Sequence, residues 1–127
     1  MSKPLLCLDF DGVVHSYTSK WQGPDIVIDP PVPGALEFIR EAREHFIVAI
    51  FSTRSHQVGG IRAMSEWLHL HMLHVFGPDE AIHIMADIEW PTTKPPAFVS
   101  IDDRALTFTG SWPAIETLKA FRPWNKS

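Results

Sequence analysis

Residues 5–14, with the sequence LLCLDFDGVV, place two carboxylates, Asp9 and Asp11, one residue apart at the end of an apolar run. A short apolar segment such as residues 5–10, interrupted only by Asp9, is typical of a strand covered on both faces in a parallel sheet. The stretch therefore predicts a first buried strand whose carboxyl end carries two acids.

Three further segments predict strands. Residues 46–51 (FIVAIF) repeat the buried, β-branched and aromatic pattern, residues 82–86 predict a weaker third strand, and residues 97–101 (AFVSI) predict a fourth. Residues 107–109 predict a short strand at the edge of the sheet.

Helices are predicted between these strands. Residues 35–45 and 61–75 carry apolar side chains at helical spacing, and residues 115–121 predict a closing helix. Alternation of strands and helices predicts an α/β fold, namely a three-layer, Rossmann-like parallel sheet with helices on both faces.

Composition and charge narrow the class of protein. The chain has 127 residues, of which 45% are hydrophobic and 20% charged, so we expect a single globular domain over residues 1–127 with a Pro- and Gly-rich flap at about 13–33. The net charge of -4 and scattered Lys and Arg argue against strong nonspecific nucleic-acid binding. The pattern predicts neither a signal peptide nor a membrane segment, and with the lone Cys7 it favours a cytoplasmic protein.

Several polar residues follow the predicted strands directly. Ligands of parallel sheets bind where the carboxyl ends of the strands open, so we expect these side chains to share one rim. They are Asp9, Asp11, Ser52, Asp102 and Asp103, and Lys94 from the loop before the fourth strand can reach the same edge.

Carboxylates that converge in this way raise one another's pKa, so we expect a cation to bind among them. All-oxygen ligands favour a hard divalent ion, with Mg²⁺ the usual one, held together with a substrate phosphate. A metal so placed lets an anionic carboxylate approach phosphorus. One acid of the first pair is then the nucleophile, and the other transfers protons to the leaving group and from water.

The motifs LDFDGV, the end of IFST, Lys94 and VSIDD resemble, in this order, the four motifs of haloacid dehalogenase (HAD) superfamily phosphatases. The resemblance implies that Asp9 forms a phosphoaspartate and that Asp11 is the general acid and base, with a backbone carbonyl on Mg²⁺. Ser52 and Lys94 would bind the phosphoryl group. The metal site would consist of Asp9, Asp11, Asp102 and Asp103, with either of the last two as the direct ligand.

A looser resemblance, through STRS and IDDR, is to the 3'-phosphatase domain of polynucleotide kinases and to uncharacterised phage and bacterial HAD-like proteins. It implies a phosphorylated small molecule or nucleic-acid end as substrate, with Thr53, Arg54 and His15 as substrate-binding residues. Both intervals that usually hold a cap domain are short, so the resemblance implies a capless protein whose site is covered by a large substrate or by a second subunit.

Two alternatives remain open at this stage. A receiver-type signalling module also combines acids, a hydroxyl, a lysine and Mg²⁺ on a parallel sheet, although its motif order differs. A HAD-like protein without catalysis, acting as a binding partner, is the other alternative.

Overall fold

A computed structural model describes residues 2–125 of the chain. Its four strands form one all-parallel sheet in the order β3-β2-β1-β4, and they are β1 (Leu5–Leu8), β2 (Ile47–Ile50), β3 (Ile88–Glu89) and β4 (Val99–Ile101). The helices are α1 (Ala35–Ala42), α2 (Gly60–Phe76), α3 (Pro78–Ala86) and α4 (Ile115–Lys119). The predicted α/β class and parallel sheet are confirmed.

The two inner strands, β1 and β2, form the centre of the sheet because their sequences, LLCL and IVAI, are continuously apolar. Leu5 pairs with Ile47 and Leu8 with Ile50, so both strands end at the same level. Their buried side chains form one core with those of α1, α2 and α3. Of the helices described, none is both long and apolar enough to cross a membrane.

The prediction of a strand at residues 82–86 is wrong, because these residues form the second half of α3. Gly77 ends α2, and Pro78 at the first position with Asp79 and Glu80 in the first turn starts a new helix. Short apolar runs do not by themselves distinguish a strand from a buried helix segment. The third strand follows two residues later, at β3.

The predicted edge strand at residues 107–109 is not formed either. Within residues 2–125 the sheet ends at β4, whose three residues are all exposed. The helix expected at 35–45 ends at Ala42, and the closing helix is limited to α4.

The flap forms no helix or strand beyond an isolated bridge between His15 and Pro31, and backbone hydrogen bonds join its two ends. Ser16 N–H donates to Pro30 O and Val32 N–H donates to Val14 O, both at 2.9 Å. These bonds fold the segment back on itself next to the carboxyl end of β1.

Candidate active site

The carboxyl ends of β1, β2 and β4 meet at one point, as the sequence predicts. Asp9 N–H donates to Ile101 O and Phe51 N–H donates to Leu8 O, each at 3.0 Å, so the three strands part into loops together. A cavity of about 190 Å³ opens here. Its lining consists of Asp9, Asp11, Tyr17, Trp21, Ser52, Thr53, Asp103, Arg104 and Asn125.

Three carboxylates form the acidic triad, which consists of Asp9, Asp102 and Asp103. One oxygen of each lies within 4.8 Å of the others, and no second such group of His, Cys, Asp or Glu occurs in residues 2–125. Burial, partly offset by the Phe10 N–H bond, raises the pKa of Asp9 to about 8, with further increases from Asp103 and Asp102. Because negative charges at this spacing repel one another, a bound cation would stabilise all three groups as carboxylates.

A buried oxygen of Asp103 is the second feature of the triad that favours a cation. Its Oδ1 is buried and has no hydrogen-bond partner among the described residues. Buried carboxylate oxygens are normally bound by donors or by metals. The donor set therefore fits a hard divalent cation.

Gly12 lets Asp103 approach the first loop this closely. A Cβ at position 12 would overlap the Asp103 carboxylate, and the backbone of Gly12 has φ +84°. Both features favour glycine, which has no side chain and readily adopts positive φ. The DG pair at residues 11–12 is therefore part of the site.

Asp11 lies outside the triad, although it is only two residues from Asp9. Arg54 Nε donates to its Oδ2 at 2.8 Å, and Arg54 Nη2 and His15 Nδ1 lie 3.2 and 2.9 Å from its Oδ1. Burial alone would raise the pKa of Asp11, but these hydrogen bonds and the nearby charges outweigh it and lower the pKa. Asp11 is thus held as a carboxylate.

The ring of His15 is fixed on both nitrogens. Asp29 N–H donates to Nε2 at 3.1 Å, so Nε2 accepts and Nδ1 carries the proton that it donates to Asp11. The ring also stacks on Phe10, with 5.4 Å between centroids. His15 is buried and is not part of the cavity lining, so it positions Asp11 from behind.

Arg54 is fully buried, with 0% of its surface exposed. Besides binding Asp11, its Nη1 lies 3.0 Å from the carbonyl oxygens of Gly23, Pro24 and Ile26 in the flap. Like His15, it does not line the cavity. Arg54 therefore lies between the flap and Asp11, and its guanidinium group donates hydrogen bonds to the carbonyl oxygens of the one and to the carboxylate of the other.

Two aromatic side chains of the flap line the cavity. Trp21 is about half exposed, with Arg54 Cζ 5.0 Å from its ring centre. Tyr17 has φ 60°, an uncommon backbone conformation for a residue with a side chain, and such outliers cluster at functional sites. Both side chains are therefore accessible to a ligand in the cavity.

The remaining predicted residues come from two loops. Ser52 and Thr53 both line the cavity, and Ser52 is buried with its Oγ accepting the Arg54 N–H at 3.1 Å. Lys94 lines an adjoining cavity together with Asp9 and Asp102, and it forms no ion pair within 4.0 Å among residues 2–125. Its ammonium group neighbours the triad without neutralising it.

Three residues that line the cavity or contact its loops were not predicted as parts of the site. Trp124 Nε1 donates to Gly12 O at 2.8 Å, and Asn125 and Arg104 line the cavity. Only the unusual Trp at position 124 in a polar tail would have suggested a contact, and nothing in the sequence indicates that its partner lies 112 residues away.

Comparisons of the chain with protein-family models, with curated proteins and with solved structures found no match. A function must therefore be argued from the site, because one fold supports many activities.

Proposed function

We propose that the chain is a Mg²⁺-dependent phosphomonoesterase of the capless HAD type, with helices on both faces of its sheet and Asp9 as the nucleophile. The contrast between two neighbouring acids carries the proposal. Asp9 belongs to a triad that calls for a cation, whereas Asp11 is held as a carboxylate by Arg54 and His15. Two carboxyl groups with opposite environments are typical of divided roles in catalysis.

The residues that would hold Mg²⁺ are the three members of the acidic triad, and the orphaned oxygen of Asp103 is the donor that most needs it. When bound, the ion would neutralise phosphate charge and restore Asp9 to its ionised form. Asp11 would not contribute its side chain to the metal, since both of its oxygens are already bound.

In the first step a carboxylate oxygen of Asp9 attacks phosphorus, and the bond from phosphorus to the ester oxygen breaks with its electron pair on the leaving oxygen. Water then attacks the phosphoaspartate, Asp11 accepts its proton, and phosphate departs from Asp9. The lowered pKa of Asp11 suits the second step at neutral pH. An aryl leaving group departs without a proton, so the first step with an aryl phosphate needs no acid and is compatible with an Asp11 that is held as a carboxylate.

Ser52 and Lys94 would bind the transferring group. The Ser52 hydroxyl accepts from Arg54 N–H and keeps its own proton for a phosphoryl oxygen. Lys94 has no other ion-pair partner within the described residues.

The cavity also limits the substrate. At about 190 Å³ it is smaller than ordinary ligand pockets, which measure roughly 300–1,000 Å³, so it would accept the phosphoryl end of a substrate. The rest of the molecule would lie over Tyr17, Trp21 and Arg104 at the opening.

The test is phosphate release from an aryl phosphate in the presence of Mg²⁺. We expect activity in the wild type, reversible loss with EDTA, and a loss of at least about 10³-fold for Asp9→Asn. The matched control is Asp79→Asn on the exposed start of α3, which should keep full activity.

Asp11→Asn separates the two steps. We expect it to retain a burst of aryl alcohol and to accumulate phosphoenzyme, because water activation is lost. Wild-type turnover by Asp9→Asn would refute the nucleophile, and a wild-type phosphoenzyme lasting minutes would indicate a receiver-type module instead.

A further inference from the structure

The sheet edge and the chain that follows it leave an apolar surface uncovered. Val99 and Ile101 of β4 are about 40% exposed, and β4 has no strand on its outer side within residues 2–125. Beyond β4, a groove of about 720 Å³ has an apolar lining that includes Leu106, Phe108, Trp112, Ile115 and Leu118. We call β4 and these five residues the C-terminal apolar face.

The apolar side chains of this face expose a larger surface than hydrophobic residues scattered singly over a protein do. Trp112 is 86% and Ile115 68% exposed, and the Phe108 and Trp112 rings contact each other at 4.8 Å. Taking about 150–250 Å² per aromatic side chain and about 100 Å² per aliphatic one, the face exposes on the order of 500 Å² of apolar surface. That lies at the upper end of the largest patches on monomers, which often mark interaction sites.

The area matches one half of an ordinary protein interface. A standard interface buries about 800 Å² on each partner, of which about 60% is apolar. The face therefore offers the apolar content of a stable dimer contact.

We propose that the C-terminal apolar face binds a second copy of this chain around a two-fold axis. In such a contact the same patch meets itself, so a charged patch would repel its copy. The charged residues of α4 that flank the groove residues, Glu116 and Lys119, lie 3.8 Å apart as an ion pair and cancel, although the whole chain carries a net charge of -4. Two neutral apolar faces can meet without that penalty.

The edge strand supports the same geometry. A two-fold axis beside β4 would pair it antiparallel with the β4 of the second copy and continue the sheet across the interface. An unpaired edge strand with apolar residues is otherwise a risk for aggregation, and pairing removes it.

The experiment is sedimentation of the full chain over roughly 1–100 µM, with Ile115→Glu as the test variant. Leu70→Glu is the matched control, because Leu70 on α2 is equally exposed, at 66%, and lies outside the face. We expect the wild type and Leu70→Glu to sediment at twice the 14.4 kDa monomer mass. Ile115→Glu should weaken association by about 30-fold or more.

A second variant, Trp112→Glu, guards against a local effect of one substitution, and circular dichroism verifies that each variant is folded. A wild type that remains monomeric at the highest concentration would overturn the proposal and leave the face to a different partner. A dimer that neither Ile115→Glu nor Trp112→Glu weakens would also overturn it.

Discussion

The flap and the C-terminal region, residues 102–125, both line the cavity and are both largely irregular, but they are held in different ways. The flap is tied by buried groups, since Arg54 binds three of its carbonyls and Trp67 Nε1 donates to Asp29 O at 2.9 Å. The C-terminal region is mostly exposed and reaches Gly12, in the loop after β1, through Trp124. An irregular segment is thus fixed by buried polar contacts rather than by its own secondary structure.

The largest expected effect comes from removing the main tie of the flap. Arg54→Lys keeps the charge but loses the planar fork that binds Asp11 and the flap carbonyls together. We expect the free energy of unfolding, measured with urea, to fall by about 3 kcal/mol, because buried acceptors lose their donors.

The control for this change is Arg62→Lys, an exposed arginine paired with Glu66 on α2, which should leave the unfolding midpoint unchanged. If Arg54→Lys were as stable as the control, the flap would not depend on Arg54.

The C-terminal region also supplies Asp103 to the triad. The pH dependence of the free energy of unfolding tests how the triad affects stability. Asp9 has a pKa of about 8 in the folded protein against 3.8 otherwise, so the unfolded chain releases this proton first. Stability without metal should therefore fall as pH rises from about 4 to 8 and level off above that.

We expect a fall of about 2 kcal/mol from this group, since water still reaches the partly exposed carboxyl. Thermal unfolding of the wild type and Asp9→Asn in EDTA measures it, and Mg²⁺ should restore the loss in the wild type. An equal pH dependence in both proteins would contradict the assignment.

Replacement of tryptophan by phenylalanine compares the two regions directly. Trp67 on α2 binds the flap, and Trp124 binds Gly12 from the C-terminal region. Trp67→Phe deletes the buried bond to Asp29 O and leaves that carbonyl without its donor. We expect a loss of about 1–2 kcal/mol in urea unfolding. A smaller loss than in Trp124→Phe would reverse the comparison.

The smallest effect on stability is expected for Trp124→Phe. Its bond to Gly12 O is only partly buried, so water can replace the donor at a cost of about 0.5 kcal/mol. Because Gly12 adjoins Asp11 and Asp103, we expect phosphate release to slow about threefold. Trp112→Phe, at an exposed position of the same region, is the control and should leave the rate unchanged.

Part of the molecule could be predicted from residue patterns. The continuous apolar runs before Asp9 and Ser52 predicted β1 and β2, and parallel strands bring their carboxyl ends together, so the meeting of Asp9, Ser52 and Asp103 followed. The same reasoning misassigned residues 82–86, because a short, mainly apolar segment fits a strand and a buried helix turn equally.

By itself, the sequence determined where β1, β2 and β4 lie along the chain, the long helix α2 and the acids that meet, because periodicity and order along the chain specify these. Only the tertiary structure decided that Arg54 turns inward to Asp11 and the flap, that Asp103 keeps a buried oxygen without a donor, and that Trp124 reaches Gly12. The physical reason is that side-chain direction depends on which acceptors lie within hydrogen-bond distance, and these come from residues tens of positions away along the chain.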